Sequence, residues 1–197
     1  MNKRRQSPPS RRRGSKTQFL LLPQEHVLSR LTGEHEQILD LLEHLDGLRR
    51  DVVSLDSPAD GPHLLKDLHL AVQELMKTEP HHEREEKVLF PSMESRGVTD
   101  YPYTLRLQHE LLRDLIQKLV EVVRKTKPED FPEYQAKVDY FGRSISRLLR
   151  KHIETEDAVL FPIALKKIRD ESDWARLEKA CDKIGYCTFG ALGSIKE

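Results

Sequence analysis

At 197 residues the chain is long enough for one domain with a full core, and 34% charged residues with only nine glycines make an all-α composition. No run approaches 18 consecutive apolar residues, which excludes a membrane-spanning helix. Two cysteines, in neither a CxxC pair nor a disulfide framework, suit a reducing compartment, so a cytoplasmic setting with two inert thiols is expected.

The formal charge is zero but unevenly spread: residues 1–24 carry Lys3, Arg4, Arg5, Arg11, Arg12, Arg13 and Lys16 without one acid, leaving the remainder at −7. Rich in Ser and Pro and without periodicity before Phe19, this stretch is expected to be a disordered, solvated basic tail. Such an arm suits nucleic acid or an acidic partner, although no interleaved aromatics specify either. The paired arginines precede only FLLL before Pro23, too short for an export signal.

The first helix is read from Leu28, Leu31, His35, Ile38, Leu42 and Leu45, whose spacing of three and four marks the buried seam of a bundle with His35 in it. After the turn-rich DSPADGP (Asp56 to Pro62), Leu65, Leu68, Val72 and Leu75 begin a second helix, which Pro80 should kink or restart. Extrapolation across Pro80 would select His82 and Glu86, but a kink breaks the phase. Beyond SRGVTDYP (Ser95 to Pro102), a third helix starting after Pro102 places His109 in the stripe Leu105, Leu112, Ile116, Leu119 and Val123. KTKPEDFP (Lys125 to Pro132) leads to a fourth, where Tyr134, Val138, Phe141, Ile145, Leu148, His152, Glu156, Val159 and Ile163 share one face. A fifth segment, capped at Ser172 or Asp173 and stopped by Gly185, presents Trp174, Leu177, Cys181 and Ile184 as a cover for the bundle.

An eleven-residue stretch occurs twice, HHEREEKVLFP from His81 and HIETEDAVLFP from His152, identical at seven positions. Each copy carries a His and a Glu four residues apart, hence on one helix face. Alignment on LFP pairs His81 with His152 and Glu85 with Glu156 and sets His82 opposite Ile153, which selects His81 and Glu85. HEQILDLLEHL from His35 likewise aligns with HELLRDLIQKL from His109, at an offset of 74 residues against 71 for His81 and His152. The expected architecture is an up-down-up-down four-helix bundle over 25–168, built from a duplicated hairpin, with 169–197 forming a short C-terminal helix and tail packed on it.

An unpaired carboxylate on an apolar stripe is so costly that it neutralises or finds a cation, and no Arg or Lys lies on these stripes at the level of the histidines. The candidate metal ligands are therefore His35, His81, Glu85, His109, His152 and Glu156. Four imidazoles and two carboxylates suit iron, manganese or zinc; with both carboxylates bridging, each ion keeps open positions, which redox-active iron uses best. His26, His44, His63 and His69 fall outside the pattern and are expected at the surface, with His69 a reserve ligand, and Glu83, Glu86, Glu154 and Asp157 read as solvated faces unless one supports a ligand His. The Glu-x-x-His spacing of ferritin-like proteins occurs only at Glu79 and His82, so that family is set aside.

In these motifs the chain resembles the hemerythrin-like, or HHE cation-binding, family, whose helices carry His, HxxxE, His and HxxxE in that order; the resemblance covers about residues 28–168. It implies two non-haem iron ions, carboxylate- and oxo-bridged, in a four-helix bundle serving oxygen or nitric oxide binding or sensing, or iron handling. Where the oxygen carriers have HxxxH on the third helix, Arg113 stands four residues after His109, so the four-His, two-Glu branch is indicated and reversible oxygen carriage is not. The main expectation is a metal protein that binds or senses oxygen, nitric oxide or peroxide. Two alternatives are a di-iron enzyme that reduces peroxide or nitric oxide or repairs iron centres, and a metal-regulated interaction module using the basic arm. No isolated acid–base residue with a defensible role favours the enzyme.

Overall fold

The computed structural model describes residues 21–124 and 129–190. The expected basic tail therefore lies outside the described residues, except for positions 21–24. The described chain is helical throughout, without a strand. Helix α1 spans Val27–Val53; His26 caps it, its Nδ1 accepting from the Leu28 amide. A short 3₁₀ turn at Pro58–Asp60 leads to α2, Pro62–Met76, with Pro62 in its first turn, where a missing amide costs nothing.

The chain turns at Lys77 and Thr78 and restarts as α3, Glu79–Arg84, with Pro80 in its first turn, which is the break expected from the sequence. A π-turn follows at Glu85–Leu89 and then α4, Phe90–Glu94. Helix α5 spans Asp100–Val123, starting ahead of the expected boundary because Pro102 is accommodated in the first turn. Helix α6, Phe131–Thr155, is capped by the Asp130 carboxylate on the Glu133 amide and runs through a second π-turn, Glu156–Leu160, into α7, Phe161–Lys167. Helix α8 spans Glu171–Ile184, capped by Asp170 rather than by Ser172 or Asp173, and ends at Gly185, whose φ of 95° favours glycine.

Packing runs α1 against α2, α2 against α5, α5 against α6 and α6 back against α1, which closes a four-cornered, up-down-up-down bundle. Its apolar interior forms two separate clusters. One holds Ile38, Leu42, Leu75, Leu112, Ile145 and Leu149; the other holds Leu31, Leu89, Phe90, Leu105, Leu160 and Phe161. Helix α8 covers the second cluster with Trp174, Leu177 and Cys181, and the Trp174 indole donates to the Ile168 carbonyl at 2.9 Å. Both cysteines are free. Burial pushes the Cys181 thiol up to about 11 and the Cys187 thiol up to about 12, which keeps them protonated and unreactive.

The two π-turns correct the phase expected for the fourth helix. Each inserts one residue into the helical repeat, so Leu160, Phe161 and Ala164 are buried while Val159 and Ile163 are only partly so. The same slip in the first copy buries Leu89 and Phe90 together.

Candidate metal centre

Between the two apolar clusters lies a polar layer. His35 comes from α1, His81 from α3, Glu85 from the first π-turn, His109 from α5, His152 from α6 and Glu156 from the second π-turn, and none is more than 1% exposed. All six candidate ligands meet there. They form two groups, His35 with His81 and His109 with His152, and each group shares both Glu85 and Glu156, with the participating atoms within 4.8 Å of one another.

The carboxylates are oriented to span the groups. Glu85 presents Oε1 to His81 Nε2 at 3.6 Å and Oε2 to His109 Nε2 at 3.5 Å. Glu156 presents Oε2 to His35 Nε2 at 3.2 Å and Oε1 to His152 Nε2 at 2.9 Å. Close as they are, these contacts lack hydrogen-bond geometry, and all four carboxylate oxygens are buried without a hydrogen-bond partner. Burial, followed by the charge of Glu156, pushes the Glu85 carboxyl well above the usual carboxylate range.

The imidazoles are equally telling. Nδ1 of His35 faces Asp157 Oδ1, that of His81 faces Glu34 Oε2, that of His109 faces Glu86 Oε1 and that of His152 faces Gln108 Oε1, each at 2.8 Å. Each acceptor fixes the proton on Nδ1 and directs a bare Nε2 lone pair inward. Inside, Nε2 of His35 lies 3.1 Å from Nε2 of His81, and Nε2 of His109 lies 2.9 Å from that of His152. Two lone pairs at such distances repel unless a proton or a cation lies between them. Two imidazole nitrogens bound at right angles to one ion, each about 2.1 Å away, would lie about 3 Å apart. The donor set and its spacing therefore fit a divalent cation in each group, bridged by two carboxylates.

Charge across the layer is set by burial and acceptors together. Burial opposes protonation of His35, but the hydrogen bond to Asp157 and the charges of Glu156 and Asp157 outweigh it and raise its pKa to about 9. For His81 burial prevails and lowers the value to about 4. Burial also opposes ionisation of Glu34, yet His81 and Arg84 outweigh it and hold the carboxyl down at about 2. Glu86 is likewise held at about 2 by His109 and Arg113 against the cost of burial.

The acceptors were the residues that sequence reasoning read least well. Glu86 and Asp157 are not solvated faces: each supports a candidate ligand, and Asp157 is itself buried. Glu83 does face outward, paired with Lys87, and Glu154 with Lys151. Glu34 and Gln108 carry no signal in the apolar spacing, although each immediately precedes a candidate ligand at repeat-related places. His69 lies outside both groups, bonded to Gln73, and His26 is half-buried as a cap against Trp174.

The two halves are stitched across one another. Asp157, of the second hairpin, orients His35 of the first, and Glu86, of the first, orients His109 of the second. Phe161 stacks on His35 at 5.5 Å between ring centroids and Phe90 on His109 at 5.9 Å, repeating the crossing in apolar contacts. No helix among the described residues is long and apolar enough to cross a membrane.

A search of curated proteins finds no match. The family model for the hemerythrin HHE cation-binding domain matches residues 26–164 and again 100–186. The first match takes in the whole four-helix layer, and the overlapping second begins at the start of α5, where the second hairpin begins. By fold, by the two His/Glu groups and by this match, the chain belongs to the hemerythrin HHE cation-binding family.

Proposed function

We propose that His35, His81, His109 and His152 hold two iron ions bridged by Glu85 and Glu156, and that the protein binds or senses a small ligand such as oxygen, nitric oxide or peroxide at this pair. One observation carries the reading: each buried carboxylate offers one unpartnered oxygen to each histidine pair. Two imidazoles and one oxygen from each of Glu85 and Glu156 would give each ion four protein ligands and leave positions open. Mixed nitrogen and oxygen donors without thiolate accord with iron, and more weakly with manganese or zinc. When bound, an iron pair would supply ligand binding and electron storage.

The chain's own residues fix orientation and exclude water. Asp157, Glu34, Glu86 and Gln108 lock the four rings in one tautomer, and Phe90 and Phe161 wall the layer on the side away from the α2 cluster. Every Nδ1 of the four rings is engaged by one of these acceptors, an arrangement suited to holding the centre in one geometry while a small ligand binds. Two free thiols accord with a reducing compartment such as the cytoplasm.

Iron analysis of the purified chain tests the proposal. About two irons per chain with the near-ultraviolet absorption of a bridged ferric pair are expected, and His81→Ala combined with His152→Ala should abolish both. A chain that takes up no iron from iron-rich medium would overturn it.

A further inference from the structure

His82 is a fifth histidine beside the centre and belongs to neither ligand group. It is 1% exposed, and both of its ring nitrogens are buried without a hydrogen-bond partner; Glu79 Oε2 stands 4.0 Å from Nδ1. Its ring stacks on His109 with centroids 4.2 Å apart and planes 25° from parallel, and it meets His152 edge-on at 6.1 Å. An imidazole held this way is well packed on its faces and unsatisfied around its edge. The position itself does not demand polarity, because its repeat counterpart is Ile153, also buried.

On its outer side His82 lines a recess of about 160 Å³ between α2, α3 and α5, together with Met76, Glu79, Arg113 and Ile116. Arg113 bonds Glu79 through Nε at 3.0 Å and reaches Glu86 at 3.0 Å, so an ion-paired rim borders the recess. The counterpart of Arg113 in the first hairpin is Leu39, and that of His82 is apolar; this pairing of rim and histidine thus occurs on one side of the layer. The recess has room for a few small molecules, and its lining includes His82, whose ring stacks on His109 of the centre.

We infer that this recess admits the small ligand of the metal pair and that His82 is the side chain that hydrogen-bonds it there. The ligand class is a small inorganic molecule of two or three heavy atoms bearing lone pairs, of the azide or peroxide kind. The inference rests on the proposed iron pair with its open positions. His82 acts as a positioning residue for the incoming ligand and is not a metal ligand.

Azide binding to the iron-loaded full chain tests this, followed by its charge-transfer band and by stopped-flow association. His82→Phe keeps the stacked ring and removes the nitrogens, His82→Gln keeps hydrogen-bonding capacity, and Ile116→Trp narrows the recess. In His82→Phe the iron content should stay at the wild-type level while the azide Kd rises about tenfold or more, with His82→Gln lying between the two. Ile116→Trp should slow association about tenfold with little change in Kd. Unchanged azide affinity in His82→Phe, or unchanged association in Ile116→Trp, overturns the inference, as does loss of iron in His82→Phe, which would make His82 a ligand. If the iron-loaded wild type binds no azide at all, the reading of open positions falls first and takes the inference with it.

Discussion

The two hairpins place matching candidate ligands around one centre but support them with different chemistry. Around His35 and His81 the support is ionic and sealed: Asp157 and Glu34 are buried, and the buried Arg84 pairs with Glu34. The segment after α8 closes over this side, with the Cys187 amide on Glu34 at 3.0 Å and Tyr186 between the guanidinium groups of Arg30 and Arg84. Around His109 and His152 the support is a neutral Gln108 and a Glu86 tied to the half-exposed Arg113. Arg84 has Thr155 as its repeat counterpart, and Glu34 has Gln108. The duplication kept the atoms that face the centre and diversified those one bond further out, leaving one histidine pair closed and the other beside a recess.

Removing a shared carboxylate should erase the distinction altogether. Glu156→Ala takes one ligand from each group, so metal content is expected to fall from about two ions per chain to near zero, read by elemental analysis. Retention of one ion would show that the groups bind independently. Next in size, Arg84→Leu leaves Glu34 buried with only His81 as its ionic neighbour. A loss of about 3 kcal/mol and a fall in Tm on the order of 10 °C are expected by calorimetry, because breaking one side of a buried pair strands a charge.

Gln108→Leu should weaken one ion by about 10–100-fold and leave the other unaffected, giving two separated transitions in a chelator titration. A single uniform transition would break the comparison between the two sides. The smallest effect is expected from Arg113→Ala: its ion pairs are partly solvated, so stability should change by no more than about 1 kcal/mol in denaturant unfolding, with iron content unchanged.

The helices and the six inward residues were legible because apolar spacing and a duplicated pattern report the same thing at two scales. Extrapolating α2 through Pro80 selects His82 and comparing the copies selects His81; of the two, His81 is the one whose nitrogen lies within 4.8 Å of the other candidate donors. Two features were less legible for stated reasons. A π-turn leaves no apolar signature and shifts the phase of everything after it, which is why Val159 and Ile163 were expected inside and Leu160 and Phe161 are found there. The acceptors lie off the apolar stripe, next to a ligand in the chain, and a periodicity reading assigns such polar residues to water. Their repeat-related places, Glu34 with Gln108 and Glu86 with Asp157, held the signal.

The crossed acceptors make the centre a property of two hairpins facing each other. A single hairpin would carry two histidines and one carboxylate, yet His35 would lack Asp157, His109 would lack Glu86, and neither would have the stacking phenyl ring supplied from across. The turn at 95–99 thus joins what is in effect a pair of interlocked subunits, and opening the bundle along the α1–α6 and α2–α5 seams would dismantle ring orientation and ligand set in one step.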